Sequence, residues 1–296
     1  MKIALITNPY AGGHKSRQLI PMVKKYLHAQ KIDFDIFLTK HCDYVDEIIR
    51  SIAFQEYDAL VAMGGDGANY HLLNAILKHH DQARLPPLGI IPAGRGNSFA
   101  RDLNLFSPKD AIDAISRRRT RPVDVCRFTQ NTNTYYFVNC MGTGFVTDVA
   151  RTATRFRRTG GFSYIIGVWH RMYSLNFYDL RMEIDGTLIS GKNCLIEICN
   201  SRYTGGEMLM APEAKIDDGL FDVVILEPLS RLRLLVTLPK LFKGTHVDNP
   251  RIRVIQGKTA TIFTKPEKKL LPDGEMFGVT PTHITMLSRR VRYFCR

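Results

Sequence analysis

The sequence has no Walker A pattern, no Gly-x-Gly-x-x-Gly fingerprint and no Cys-x-x-Cys pair. The first two absences remove the commonest phosphate-binding loops, so any nucleotide must be held by another set of loops. Its six cysteines are scattered at 42, 126, 140, 194, 199 and 295 of 296 residues, which rules out a disulfide scaffold. Reduced thiols in a cytoplasmic protein are expected. No run of 18 apolar residues occurs, so no spanning helix is expected. Met1 to Thr7 reads as a first strand and is too short for a signal peptide. Repeats and low-complexity linkers are missing, as are helix-turn-helix, zinc-finger and base-stacking signatures.

Acidic residues are scarce as well. Asp plus Glu number 28 against 41 Lys plus Arg, a net charge of +13. Such an excess favours polyanions. With no nucleic-acid module, nucleotide phosphates and an anionic membrane surface are the expected partners. The cations cluster at Arg117-Arg118-Arg119, Arg151 to Arg158, Arg231 with Arg233, and Arg289 to Arg296.

What is present alternates. Strand patterns at Lys2–Thr7, Phe34–Leu38, Asp58–Met63 and Leu88–Pro92 are separated by helical patterns at Ser16–Gln30, Tyr44–Phe54 and Ala68–His79, with a short helix at Pro108–Ser116. This predicts an α/β domain with a parallel sheet over residues 1–123. Ligands in such sheets bind at the carboxyl ends of strands. The loops Asn8–Gly13, Gly64–Asn69 and Pro92–Asn97 all belong to that edge. From residue 124 to 287 the segments turn β-branched and aromatic: Tyr135–Met141, Tyr178–Ile184, Leu188–Ser201, Phe221–Leu226, Thr259–Thr264 and His283–Leu287. Asp185-Gly186 is a hairpin turn between two of them. An antiparallel β-sandwich is expected, interrupted by helices at Gly161–Leu175 and Ser230–Phe242. The basic tail, 288–296, is expected to fold back on the first domain.

Gly64-Gly65-Asp66-Gly67 joins a buried strand to a helix. Glycines allow close approach of a ligand to the main chain, and a helix start attracts anions. An acidic side chain in that loop suits a phosphate site when a divalent cation lies between them.

Five ordered motifs resemble the diacylglycerol kinase catalytic family, including its bacterial lipid-kinase branch and the sphingosine kinases. They are Asn8-Pro9-x-x-Gly12, Gly64-Gly65-Asp66-Gly67 followed by Asn74, Pro92-x-Gly94-x-x-Asn97-x-x-Ala100-Arg101, the Asp217-Asp218-Gly219 segment, and Asp273-Gly274-Glu275. The resemblance spans nearly the whole chain. It implies an ATP-dependent kinase with its active site between an α/β domain and a β-sandwich domain. Glu275 falls on the catalytic base, which takes the proton of a lipid hydroxyl. Asp66 falls on the Mg²⁺–ATP side. Asn8, Thr39, Gly64, Gly65, Gly67, Ala68, Asn69, Tyr70, Gly94, Arg95 and Asn97 fall on nucleotide-binding positions. Asp218, with the carbonyls of Lys215 and Leu220, falls on a second Mg²⁺ site. The substrate implied is a membrane lipid alcohol such as diacylglycerol; a sphingoid base, NAD, or a binding role without catalysis are the alternatives.

Ala68, Arg95 and Ser98 depart from the family pattern, where threonine, threonine or serine, and an acidic residue are usual. Peripheral membrane association is expected, with Arg151–Arg158 and the aromatic helix Phe162–Tyr173 as its surface.

Overall fold

The computed structural model describes residues 1–10, 15–39, 41, 44–80, 85–155 and 175–296. The chain divides into two compact units, residues 1–125 with 289–296, and residues 126–288.

In the first unit, β1 (Lys2–Thr7), α1 (Lys15–Ala29), β2 (Asp33–Leu38), α2 (Tyr44–Ser51), β3 (Ala59–Gly64), α3 (Asp66–His80) and β4 (Leu88–Pro92) alternate. The strands are parallel in the order β2-β1-β3-β4. Every residue of β3 and β4 is buried, as expected of a sheet covered on both faces. The strand order reverses direction at β1 and β3, so the loops leaving those two strands flank the switch point where ligands bind. Helix α3 carries Asp66 in its first turn and Lys78, His79 and His80 in its last, both favourable to the helix dipole. Two short helices follow, α4 (Ser98–Asp102) and α5 (Pro108–Ser116). Ser107 caps α5 by accepting the Asp110 N–H at 3.1 Å, with Pro108 opening the helix. The strand β5 (Thr120–Gln130) then leads into the second unit.

The second unit contains β6 (Asn133–Phe137), β7 (Cys140–Gly144), α6 (Phe145–Arg155), β8 (Tyr178–Ile184), β9 (Thr187–Asn193), β10 (Leu195–Cys199), the short β11 (Tyr203–Thr204) and β12 (Met208–Leu209), β13 (Phe221–Leu226), α7 (Arg231–Thr237), β14 (Ile252–Gly257), β15 (Thr259–Lys265), β16 (Leu270–Pro272) and β17 (Thr282–Phe294). One sheet runs β14-β13-β10-β7-β16. The opposing sheet pairs β9, β8, β15 and the first part of β17, all antiparallel. Strand β8 alternates inward and outward, so Tyr178, Leu180, Met182 and Ile184 face the core. There they meet Ile196, Ile198, Phe221, Val223 and Ile225 from the other sheet. The fold is the expected α/β domain followed by an antiparallel sandwich.

Residues 289–296 cluster with the first unit. Tyr293 lies opposite Leu88 of β4, and the Cys295 N–H donates to the Arg119 carbonyl at 3.0 Å. Arg296 pairs with Asp110.

Several boundaries differ from the sequence expectation. Tyr135–Met141 is two strands, because the N–H groups of Val138 and Asn139 are taken by the Asp273 carboxylate at 3.1 and 2.9 Å. Leu188–Ser201 is also two strands, since the chain changes sheets at Cys194. Helix α3 starts at Asp66 rather than Ala68. Strands β5 and β14 and helix α4 had no counterpart in the sequence reading. Ser230–Phe242 is helical: α7 runs into a 3-10 turn at Leu238–Phe242. The loop residues 11–13, Cys42, and all of the helix expected at Gly161–Leu175 except Leu175, which is not helical, lie outside the described residues, as do Arg157 and Arg158. No described helix is long and apolar enough to cross a membrane. The five described cysteines are buried and unbridged.

Candidate active site

Asn8 follows β1, Thr39 follows β2, Gly64 to Gly67 leave β3, and Ala93 to Asn97 leave β4, so all these candidates sit at the carboxyl edge of the parallel strands. The two glycine loops meet main chain to main chain. Ala93 and Gly94 N–H groups donate to the Gly64 carbonyl at 2.8 and 3.1 Å. A Cβ on Gly94 would run into the Gly65 Cα and stand 2.8 Å from the Gly65 nitrogen. Backbone cannot retreat as a flexible side chain can, so Gly94 is required for the approach.

Asn97 shapes the second loop. It takes the left-handed conformation, φ 52°, which asparagine tolerates better than most residues. Its amide closes the turn, accepting the Gly94 N–H at 3.0 Å and donating to the Gly94 carbonyl at 3.1 Å. It stands at the cap position of α4 yet does not cap it. Asp66 does so instead: its carboxylate accepts the N–H groups of Ser98 at 3.0 Å and Phe99 at 3.1 Å. Burial pushes the Asp66 pKa up, and the two N–H groups pull the other way. The carboxylate therefore ties the Gly-Gly-Asp-Gly loop to the second loop.

The remaining nucleotide candidates divide. Asn8 accepts the Tyr10 N–H at 2.8 Å. Arg95 is exposed at the loop tip. Ala68 lies against Gly64, where an added Cβ would be 2.5 Å from the Ala68 Cβ. Thr39 is 4% exposed and continues the β1 ladder through its N–H to the Thr7 carbonyl. Asn69 and Tyr70 face inward, and Asn69 accepts the Tyr293 hydroxyl at 2.9 Å. Helix α3 thus offers its first turn of main chain at this edge, while Asn69 holds the tail.

In the second unit, Glu275 follows a type I′ turn. Asp273 and Gly274 have φ of 46° and 85°, and the Glu275 N–H donates to the Pro272 carbonyl at 2.8 Å. Asp273 is buried and braces the turn through Val138 and Asn139, while its own N–H donates to the Cys140 carbonyl at 2.8 Å. On the far side Phe277 packs on Tyr135, ring centroids 4.3 Å apart, and its N–H donates to the Leu270 carbonyl. Glu275 is half-buried on a tip fixed from both ends. The sequence reading missed the shell beneath. The Asn139 carbonyl accepts the Asn200 and Ser201 N–H groups at 2.9 and 3.2 Å, and Asn200 donates to the Val138 carbonyl at 2.8 Å. Polar residues closing two apolar runs, Phe-Val-Asn139 and Ile-Cys-Asn200-Ser201, were the available signal.

Among the described residues no group of three or more His, Cys, Asp or Glu side chains could hold a metal ion. The segment Lys215 to Leu220 offers two carboxylates, Asp217 and Asp218, and main-chain oxygens, a donor chemistry suited to a hard cation. Asp218 is exposed and accepts the Leu220 N–H at 3.0 Å. Burial raises the neighbouring Asp222 to about 6, and the like charges of Asp218 and Glu213 add to the rise. A cation would relieve that repulsion, so the residues fit the group.

A parallel α/β unit with interlocked glycine loops at its carboxyl edge, followed by a sandwich bearing an Asp-Gly-Glu turn, defines a two-unit kinase architecture. The diacylglycerol kinase catalytic domain model matches residues 2–128. The YegS C-terminal NAD kinase beta sandwich-like domain model matches residues 139–295. A diacylglycerol kinase of Staphylococcus haemolyticus is 30% identical over 97% of this chain and 86% of its own. One from Staphylococcus saprophyticus is 29% identical over 98% and 94%. Of solved structures, a Bacillus anthracis diacylglycerol kinase aligns over 100% of this chain and 97% of its own at 23% identity, TM-score 0.77. Another crystal structure from that strain reaches a TM-score of 0.83 at 24% identity, over 100% and 95%. This chain belongs to the diacylglycerol kinase catalytic family and carries the YegS-type C-terminal domain. Membership makes it a kinase, a transferase by class, and implies use of ATP.

Proposed function

We propose that this protein transfers the γ-phosphoryl group of ATP to the hydroxyl of a membrane lipid such as diacylglycerol, working in the cytoplasm at an anionic membrane surface. The observation that carries the reading is Glu275 on its Asp273-clamped turn. A carboxylate held on a rigid turn can accept the proton of an attacking hydroxyl, a role that contributes on the order of 10²–10⁴ in rate.

The glycine loops supply the donor side. The main chain of Gly64 to Ala68, at the start of α3, orients phosphate oxygens, as helix starts do. Asn97 keeps the second loop in register with the first, and exposed Arg95 is available to pair with phosphate. Asp66 holds the two loops together and would hold the magnesium-nucleotide, directly or through water. Asn8 and Thr39 border the same edge. Mg²⁺, when bound, would neutralise charge on the phosphates. Lys215, Asp218 and Leu220 would hold a second Mg²⁺ with a structural role. As the O–H bond of the lipid breaks, its proton passes to Glu275 and the alkoxide oxygen bonds to phosphorus, releasing ADP.

The test is phosphate transfer from radiolabelled ATP to a panel of diacylglycerol, a sphingoid base and NAD. Labelled phosphatidic acid is the expected product. Label in NAD and in no lipid would overturn the proposal.

A further inference from the structure

Leu232 and Val236 are 77% and 68% exposed, the two most exposed large apolar side chains among the described residues. Both lie on α7, whose first turn is capped by Ser230. The helix continues into the 3-10 turn ending at Phe242. Its inward side is already satisfied: Leu234 and Leu241 are buried in an apolar cluster with Leu226, Leu229 and Ile252. Its outward side is apolar too. Leu232, Val236, Pro239 and Phe242 are all exposed, at steps of four, three and three residues. A helical segment apolar on both sides is suited to two apolar environments, and only one is found among the described residues.

Charge indicates the second environment. Between residues 229 and 244 the chain carries Arg231, Arg233, Lys240 and Lys243 and no acidic residue. All four are exposed. The neighbouring acids lie outside this run: Glu227 is bridged to Arg251 and Arg253, and Asp248 closes the next turn. We propose that α7 and its 3-10 extension form the surface by which the protein docks on an anionic bilayer, the apolar stripe entering the headgroup boundary and the four cations meeting lipid phosphates. A second copy of the chain is the poorer occupant, because a two-fold interface would set this cationic patch against itself. A protein partner fits less well, since protein interfaces are depleted in lysine and anchored by tyrosine and tryptophan. Such docking serves the lipid-kinase reading, on which its purpose rests, but it is measured without turnover.

Flotation of the full-length protein with vesicles tests it, using phosphatidylcholine alone or mixed with phosphatidylglycerol. The wild type is expected to float with the mixed vesicles only. Arg233→Gln with Lys240→Gln and Lys243→Gln should weaken that binding by about fivefold per cation at low salt. Leu232→Ser with Val236→Ser should weaken it by tenfold or more, with an unchanged thermal midpoint because both side chains are exposed. Leu188→Ser with Phe263→Ser, exposed apolar residues elsewhere, should leave it at the wild-type level. Wild-type binding by either α7 variant, equal loss in the Leu188 and Phe263 variant, or a dimer that Leu232→Ser abolishes would overturn the proposal. Transfer to diacylglycerol dispersed in detergent separates the two readings. Activity there without flotation sinks the docking surface alone, and flotation without activity sinks the kinase reading alone.

Discussion

The two units share one device. Asp66 and Asp273 each precede a glycine, and each gives its carboxylate to two consecutive backbone N–H groups from a distant segment. In the first unit the segment is 32 and 33 residues away and begins a helix. In the second it is 134 and 135 residues away and interrupts a strand. Asp185 in the β8–β9 hairpin does the same for Lys258 and Thr259, with no candidate chemistry beside it. The clamp is therefore a general way of fixing an Asp-Gly turn, and function depends on what the turn then presents. Beside Asp66 it is glycine main chain, suited to phosphates. Beside Asp273 it is Glu275, suited to a proton.

Four substitutions test how far the likeness between the two clamps extends. Asp273→Ala should be the most damaging, because two buried N–H groups lose a charged acceptor. We expect a loss of about 3–5 kcal/mol of stability and of nearly all turnover, read by denaturant melts and the kinase assay. Gly94→Ala should follow, at about 3 kcal/mol with loss of ATP binding, since its methyl meets Gly65 backbone. ATP affinity equal to wild type would remove the interlocked loops from the account. Asp66→Ala should cost less, about 2 kcal/mol, because Asp66 is more exposed than Asp273. If it costs more than Asp273→Ala, the two clamps are ranked wrongly.

The smallest effect concerns pH. Burial raises Glu197 to about 7, against an ordinary value near 4.3 in an unfolded chain. The folded state thus holds a proton that the unfolded state has lost, and the stabilisation present at low pH disappears as pH rises through about 7. Thermal midpoints measured from pH 5 to 8 should fall with pH more steeply for the wild type than for Glu197→Gln. Parallel curves would contradict this.

Much of the first unit was legible from sequence, because buried parallel strands read as short apolar runs broken by glycine. Lys2–Thr7 and Leu88–Pro92 carry their boundaries in composition alone. Motif order pointed to Asp66, Asn97 and Glu275, but not to what they touch. Nothing local in Asp66 announces that it caps a helix 32 residues on, and nothing in Val138-Asn139 announces that Asp273 will interrupt their strand. These are long-range hydrogen bonds, invisible to periodicity. Asn69 and Tyr70, which the family resemblance puts at nucleotide-binding positions, carry no local sign that the inward face of α3 buries both. The outward stripe on α7 was hidden because both of its faces are apolar, which blurs the 3.6-residue pattern.

The proposed phosphoryl transfer depends on Glu275 as the group that takes the hydroxyl proton. The most direct measurement compares wild type with Glu275→Gln for radiolabelled phosphate transfer from ATP to diacylglycerol in detergent, alongside ATP affinity and thermal midpoint. We expect turnover to fall on the order of 10²–10⁴-fold with affinity and midpoint unchanged. A glutamine variant that turns over like wild type would contradict it.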